Sequence, residues 1–293
     1  MASVCRKPRM LPPGTQREPR RRMPHSPRQK IQTGRRPRRT PRSDPVPARS
    51  DLGALVAALG DVDPVRREGA MDALAADVSE GLHDDELDAL GDELIQTLRR
   101  GLGEPEGDDV FARSFAALVL ACCLDRDAMT GTATHRDRWG TELCAWFAAE
   151  RDVRGWVPGH GWAHAIAHGA DALGALTRSP RVEAGMGRRV LEALLARTLA
   201  EDGPWVSGEP DRIVHALGDL IGGAPEFVDR LGAELAVRAV RADDPYRSTV
   251  NLDALLRTLH LHRPAMRPQI EALLAQAYPH LFDDSSSHTR RTL

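Results

Sequence analysis

Three of the chain's 11 histidines, His160, His164 and His168, fall within nine residues, and Asp171 follows them. On a helix, positions 164, 168 and 171 are spaced i, i+4, i+7 and share one face, so two imidazoles and a carboxylate converge. That trio has three chemical uses. Two imidazoles one turn apart grip a divalent transition metal, with Asp171 as third ligand. This would suit a metal-dependent hydrolase with Glu150 or Asp152 as base. It would not be a zincin, because the position after the first histidine, where that motif carries its glutamate, is Ala165. The same groups beside Trp162 and a glycine-bearing loop also line small-molecule or peptide pockets. The third use is structural, with His and Asp bonding helix ends and loop backbone while tryptophans fill gaps. Four of the five tryptophans, Trp139, Trp146, Trp156 and Trp162, lie in this neighbourhood.

Other polar residues on apolar segments are candidates for the same site. Arg113 precedes the longest apolar run, Phe115–Leu124, and reads either as a first-turn surface group or as a cation aimed at Asp171 or Glu150. Glu209 and Arg212 are spaced for an i, i+3 ion pair, and Asn251 reads as a helix cap. His260 and His262, two apart, share no helical face. The chain has no phosphate-binding GxGxxG or GxxxxGK[ST] and no Gly-x-Ser-x-Gly.

The elements that position these residues are helices. From Asp51 onward apolar residues recur at three and four, as in Leu52, Leu55, Val56 and Leu59. Prolines at 64, 180 and 225 mark starts, and glycines at 81, 101, 103, 222 and 223 mark stops. The pattern predicts helices over 51–60, 64–80, 84–100, 109–125, 136–151, 160–178, 181–201, 209–222, 225–242, 248–262 and 265–278. No turn pair between alternating runs announces a hairpin. Aromatics make up only 4% of the chain, so Leu, Ala and Val must build the core, which favours helices. The expected fold is all-α, an irregular α-solenoid of HEAT/armadillo-like helix pairs about 40 residues apart. A compact multi-helix bundle is the alternative.

Several of these segments together resemble an uncharacterised bacterial family, Domain of Unknown Function 2785. The resemblance is carried by Val110-Phe111-x-Arg113-Ser114-Phe115, Glu150-x-Asp152-x-Arg154-Gly155 and, above all, Gly161-Trp162-Ala163-His164-x-x-Ala167-His168-x-x-Asp171. Glu209 with Arg212, and Asn251 ahead of Leu256-Arg257, look like its later motifs. The likeness covers roughly 51–282. It implies no activity. It does imply that Arg113, Glu150, Asp152, Arg154, His164, His168, Asp171, Glu209, Arg212 and Asn251 form one set, able to line one concave face.

Charge divides the chain. Residues 1–50 hold 15 of the 40 basic residues but only Glu18 and Asp44, while the remainder has 25 basic against 40 acidic residues. The first fifty residues, with ten prolines, read as a disordered tail: a nucleic-acid tether, a solvated tail, or upstream sequence ahead of a later start such as Met23. Residues 51–282 read as one helical-repeat domain and 283–293 as a second disordered tail. A body balance of −15 argues against a phosphate-backbone partner. The longest apolar run is too short to span a membrane. Four cysteines give neither a disulfide framework nor a CxxC metal site, and a reducing cytoplasm is the simplest setting. The expected function is binding of a protein partner or small ligand through the His/Asp/Trp face.

Overall fold

The computed structural model describes residues 51–183, 185–218, 220, 225–241 and 245–279, so the expectations for both tails lie outside the described residues. Among them are eleven α-helices: α1 Leu52–Ala58, α2 Pro64–Glu80, α3 Asp84–Thr97, α4 Asp109–Thr130, α5 Arg136–Ala149, α6 Ala165–Arg178, α7 Met186–Leu199, α8 Glu209–Leu217, α9 Pro225–Arg241, α10 Pro245–His262 and α11 Arg267–Ala277. Each corresponds to a segment of the apolar pattern, and the fold is all-α. The punctuation works as the residue types dictate. Asp63 caps α2 by accepting from Val65 N (2.9 Å), with Pro64 at the first position, where a missing N–H costs nothing. Gly81 ends α2 and Gly131 ends α4, both left-handed.

The helices form two layers. In one, α2, α4, α6, α8 and α10 each pack on the next. In the other, α1, α3, α5, α7, α9 and α11 do the same. Helix α6 lies deepest and touches α4, α5, α7 and α8. Its small residues permit this closeness. A Cβ at Gly169 would meet the Phe147 ring at 2.5 Å, and one at Gly174 would meet the Ala216 backbone at 3.0 Å. Helix α10 reaches across to hold the loop between α7 and α8. The Asn251 side chain accepts from Trp205 N and donates to Gly203 O, both at 2.9 Å.

Two local expectations are corrected. The helix expected from 160 begins at Ala165, because residues 156–162 fold into a small antiparallel hairpin, β1 Trp156–Val157 and β2 Gly161–Trp162. Its turn is Val157-Pro158-Gly159-His160, closed by His160 N donating to Val157 O at 3.0 Å. Proline fits the first central position, and Gly159 takes φ 82° at the second, the requirement of a type II turn. Asn251 is not a cap: α10 begins at Pro245, so Asn251 is an interior, buried residue.

Candidate functional site

The hairpin rests on Arg67 of α2, a side chain with no exposure. Its guanidinium donates to Asp61 O (2.6 Å) and Val62 O (3.3 Å) before α2, and to His160 O (2.5 Å) and Trp162 O (3.4 Å) in the hairpin. It also lies over the rings of Phe111 and Phe115, at 4.2 and 4.9 Å. Burial lowers the Arg67 pKa from its ordinary value, which the nearby charges of Glu68, Asp61 and Asp63 partly offset. Sequence reasoning did not select Arg67. A signal existed, since Arg67 shares the i, i+3, i+4, i+7 stripe with Ala70, Met71 and Leu74, all buried.

Beyond the hairpin the chain turns into α6 through His164, which has φ 56° and is one of two non-glycine residues with positive φ among the described residues. That turn lets the His164 N–H donate to Arg154 O (3.0 Å) while its carbonyl receives His168 N (3.0 Å). The imidazole is buried. Its Nε2 lies 2.9 Å from Ser207 O, so Nε2 must be the protonated nitrogen, and Glu209 Oε1 is 3.4 Å from it. Glu209 in turn accepts from Ser207 N at 2.8 Å.

His168 lies one turn into α6. Ser114 of α4 has a single hydroxyl proton and donates it to Ala163 O, so it accepts from His168 Nδ1 at 2.8 Å. This fixes the tautomer and leaves Nε2 as an acceptor. Among the described residues Nε2 has no hydrogen-bond partner, and the residue as a whole is half-buried. Ser114 is fully buried with its proton committed to a carbonyl, so the pair is not arranged as a nucleophile and base.

The rings form a ladder. Trp156 meets Trp162 edge-on at 5.0 Å, and Trp162 stacks on His164 at 4.6 Å. His164 meets His168 at 5.7 Å, and His168 meets Phe115 at 5.3 Å. The outer end, Trp156, is 45% exposed, although this is a protein with few aromatics.

The third member of the predicted trio is engaged elsewhere. Both oxygens of Asp171 are held by Arg212, Nε to Oδ1 at 2.8 Å and a second contact from Nη2 to Oδ2. The expected Glu209–Arg212 pair is therefore replaced by two separate ones, His164–Glu209 and Asp171–Arg212. Among the described residues no three His, Cys, Asp or Glu side chains form a group able to hold a metal ion.

Arg113 is likewise not a surface group. It is 1% exposed and makes a two-pronged pair with Glu150, itself fully buried, at 2.5 and 2.8 Å. Its remaining nitrogen donates to Arg100 O (2.7 Å) and Gly101 O (3.1 Å). Glu150 also accepts from Trp146 Nε1 (3.2 Å) and Asp152 N (2.9 Å). Asp152 holds Glu106 N (3.1 Å) and the guanidinium of Arg154, which donates onward to Gly107 O (2.9 Å). Hydrogen bonding to Asp152 raises the Arg154 pKa. The ten polar residues fall into separate bonded groups. They divide into a loop clamp (Arg113, Glu150, Asp152, Arg154), a hairpin-to-helix junction (His164, His168, Glu209), an ion pair (Asp171, Arg212) and the Asn251 clamp.

A family model described as "Protein of unknown function (DUF2785)" matches residues 98–261, more than half of the 293. The chain belongs to the DUF2785 family. No curated protein and no solved structure matches it. The DUF2785 stretch takes in every clamp above and the whole ring ladder, but Arg67, which supports the hairpin, lies before it. No helix among the described residues is long and apolar enough to cross a membrane.

In this DUF2785 member burial pushes His168 well below the ordinary imidazole value, reinforced by the nearby charges of His164, Arg212 and Arg67. The native ring is therefore neutral where an unfolded one, with a pKa of about 6.5, begins to protonate. The unfolded state binds the extra proton, so stability falls as pH drops below that point, by at most about 1.4 kcal/mol per pH unit from this residue. Urea unfolding between pH 7.5 and 5.5 should show that loss in the wild type and a flatter profile in His168→Gln. Equal profiles would contradict a neutral buried His168.

Proposed function

We propose that the chain is a cytoplasmic HEAT/armadillo-like binding module that engages a protein partner or small ligand at the hairpin face. The repeat reading is supported by the two layers and by a recurring interval. Thr134 N bonds Asp88, Glu106 N bonds Asp152, Glu183 N bonds Asp137 and Trp205 N bonds Asn251, each pair 46 residues apart. Stacked units of such length present one continuous surface to a partner.

The observation that carries the binding reading is the ring ladder. The clamps around it close on one another, while the ladder ends in the exposed Trp156 indole and includes the unpartnered Nε2 of His168. Aromatic faces with one fixed acceptor are what an amphipathic ligand requires. A tryptophan-fluorescence screen of a metabolite and peptide library tests it. Ligands of this site should perturb the wild-type signal and bind at least tenfold more weakly to Trp156→Ala and His168→Ala. If every ligand found binds both variants as tightly as wild type, the hairpin face is not the site.

A metal-dependent hydrolase built on His164, His168 and Asp171 would have to withdraw Asp171 from Arg212 and His164 from Ser207 O. Elemental analysis separates the readings. One equivalent of zinc or a similar ion, lost in His168→Ala, would replace the binding proposal with the hydrolase.

A further inference from the structure

A cleft of about 910 Å³ opens at the far end of α6, between α7, α8 and the start of α9. That volume is within the usual range for a small-molecule site. Among the described residues four basic side chains line it, Arg178, Arg188, His215 and Arg263, against one carboxylate, Glu226. This runs opposite to the body's net charge of −15.

The basic groups are unequally explained by the fold. Arg178 lies in the last turn of α6 and His215 in the last turn of α8, where a cation suits the helix dipole. Arg178 is also paired with Asp125 through Nε and Nη2 (3.2 and 2.8 Å). Arg188 has no such account. It lies in the first turn of α7, which contains no acidic residue and whose Gly185 cap offers no side-chain acceptor. A cation there opposes the dipole, and Arg188 is exposed with no hydrogen bond or ion pair to its side chain among the described residues. Arg263 spends Nη2 on Val214 O (3.2 Å), while its Nε is sealed from water with no acceptor. Gly187, in the first turn of α7, also lies in the wall.

We infer that this cleft binds a small polyanion, a phosphorylated or polycarboxylate metabolite, held by Arg188 and Arg263 with His215 and the start of α7. The bound anion would supply the charge that α7 lacks. The site is distinct from the hairpin face and does not depend on it.

Calorimetric titration of the full chain with pyrophosphate and with citrate at low salt tests the assignment. At least one should bind, and Arg188→Glu should weaken it at least tenfold. Arg230→Glu, an exposed charge paired with Glu192, and Trp156→Ala should stay within twofold of wild type. Preference for pyrophosphate or citrate identifies the phosphorylated or the carboxylate source. Absence of binding by both at millimolar concentration, or equal binding to Arg188→Glu and wild type, overturns the inference.

Discussion

Arg113→Ala should cost about 3–5 kcal/mol of unfolding free energy, a large share of the roughly 5–15 kcal/mol that holds a domain together. The size follows from what remains after truncation. Glu150, with no exposure, would be left to Trp146 Nε1 and Asp152 N and lose both prongs of the Arg113 guanidinium. The carbonyls of Arg100 and Gly101 would lose a donor as well. Removing the partner charge too, in Arg113→Met with Glu150→Leu, should recover part of the loss, because no buried carboxylate is then left unpaired. Recovery stays incomplete, since the indole and backbone groups that used those side chains are orphaned at about 1–3 kcal/mol each. Urea unfolding of the singles and the double checks this. A single-variant cost near that of truncating the exposed Arg230, about 0–1 kcal/mol, would show that the pair carries little.

Arg67→Ala should cost about 3 kcal/mol and loosen the hairpin, since several carbonyls lose their donor and a cavity opens over Phe111 and Phe115. Arg67→Lys should rescue little. A single ammonium cannot reach both Asp61 O and His160 O in the geometry of a planar fork. Near-ultraviolet circular dichroism should report it, because the Trp156–Trp162–His164 contacts depend on the hairpin's position. An unchanged spectrum with unchanged stability would show that the hairpin holds itself.

Much of the fold was legible because prolines and glycines act locally. Pro64 and Gly81 bracket α2 whatever lies elsewhere in the chain. The same local reading starts α6 too early, at 160, because Pro158-Gly159 satisfies a type II turn and so builds a hairpin ahead of it. Choice of side-chain partner was less legible. Spacing joined Glu209 to Arg212, yet each found a buried partner on α6 or at its entry, and tertiary proximity outweighed a weak i, i+3 pair. Arg113 and Arg67 both interrupt apolar stripes, a pattern visible in sequence that points to burial but not to the acceptor. The four bonds that span 46 residues leave no residue signature at their donor ends. In each of those four bonds the donor is a backbone amide, which leaves the side chain at that position free to vary.

The two-layer packing bears on how the chain comes apart. Among the described residues each helix packs mainly on the next one in its own layer and on the adjacent helices of the other. On the repeat reading proposed above, cooperativity spreads link by link, as along a row of coupled spins, and the ends are held from one side only. Under force or mild denaturant, α1 and α11 should open first and the α4–α6 centre last. Amide exchange should therefore be slowest around Ser114 and His168 and quicken outward in both directions.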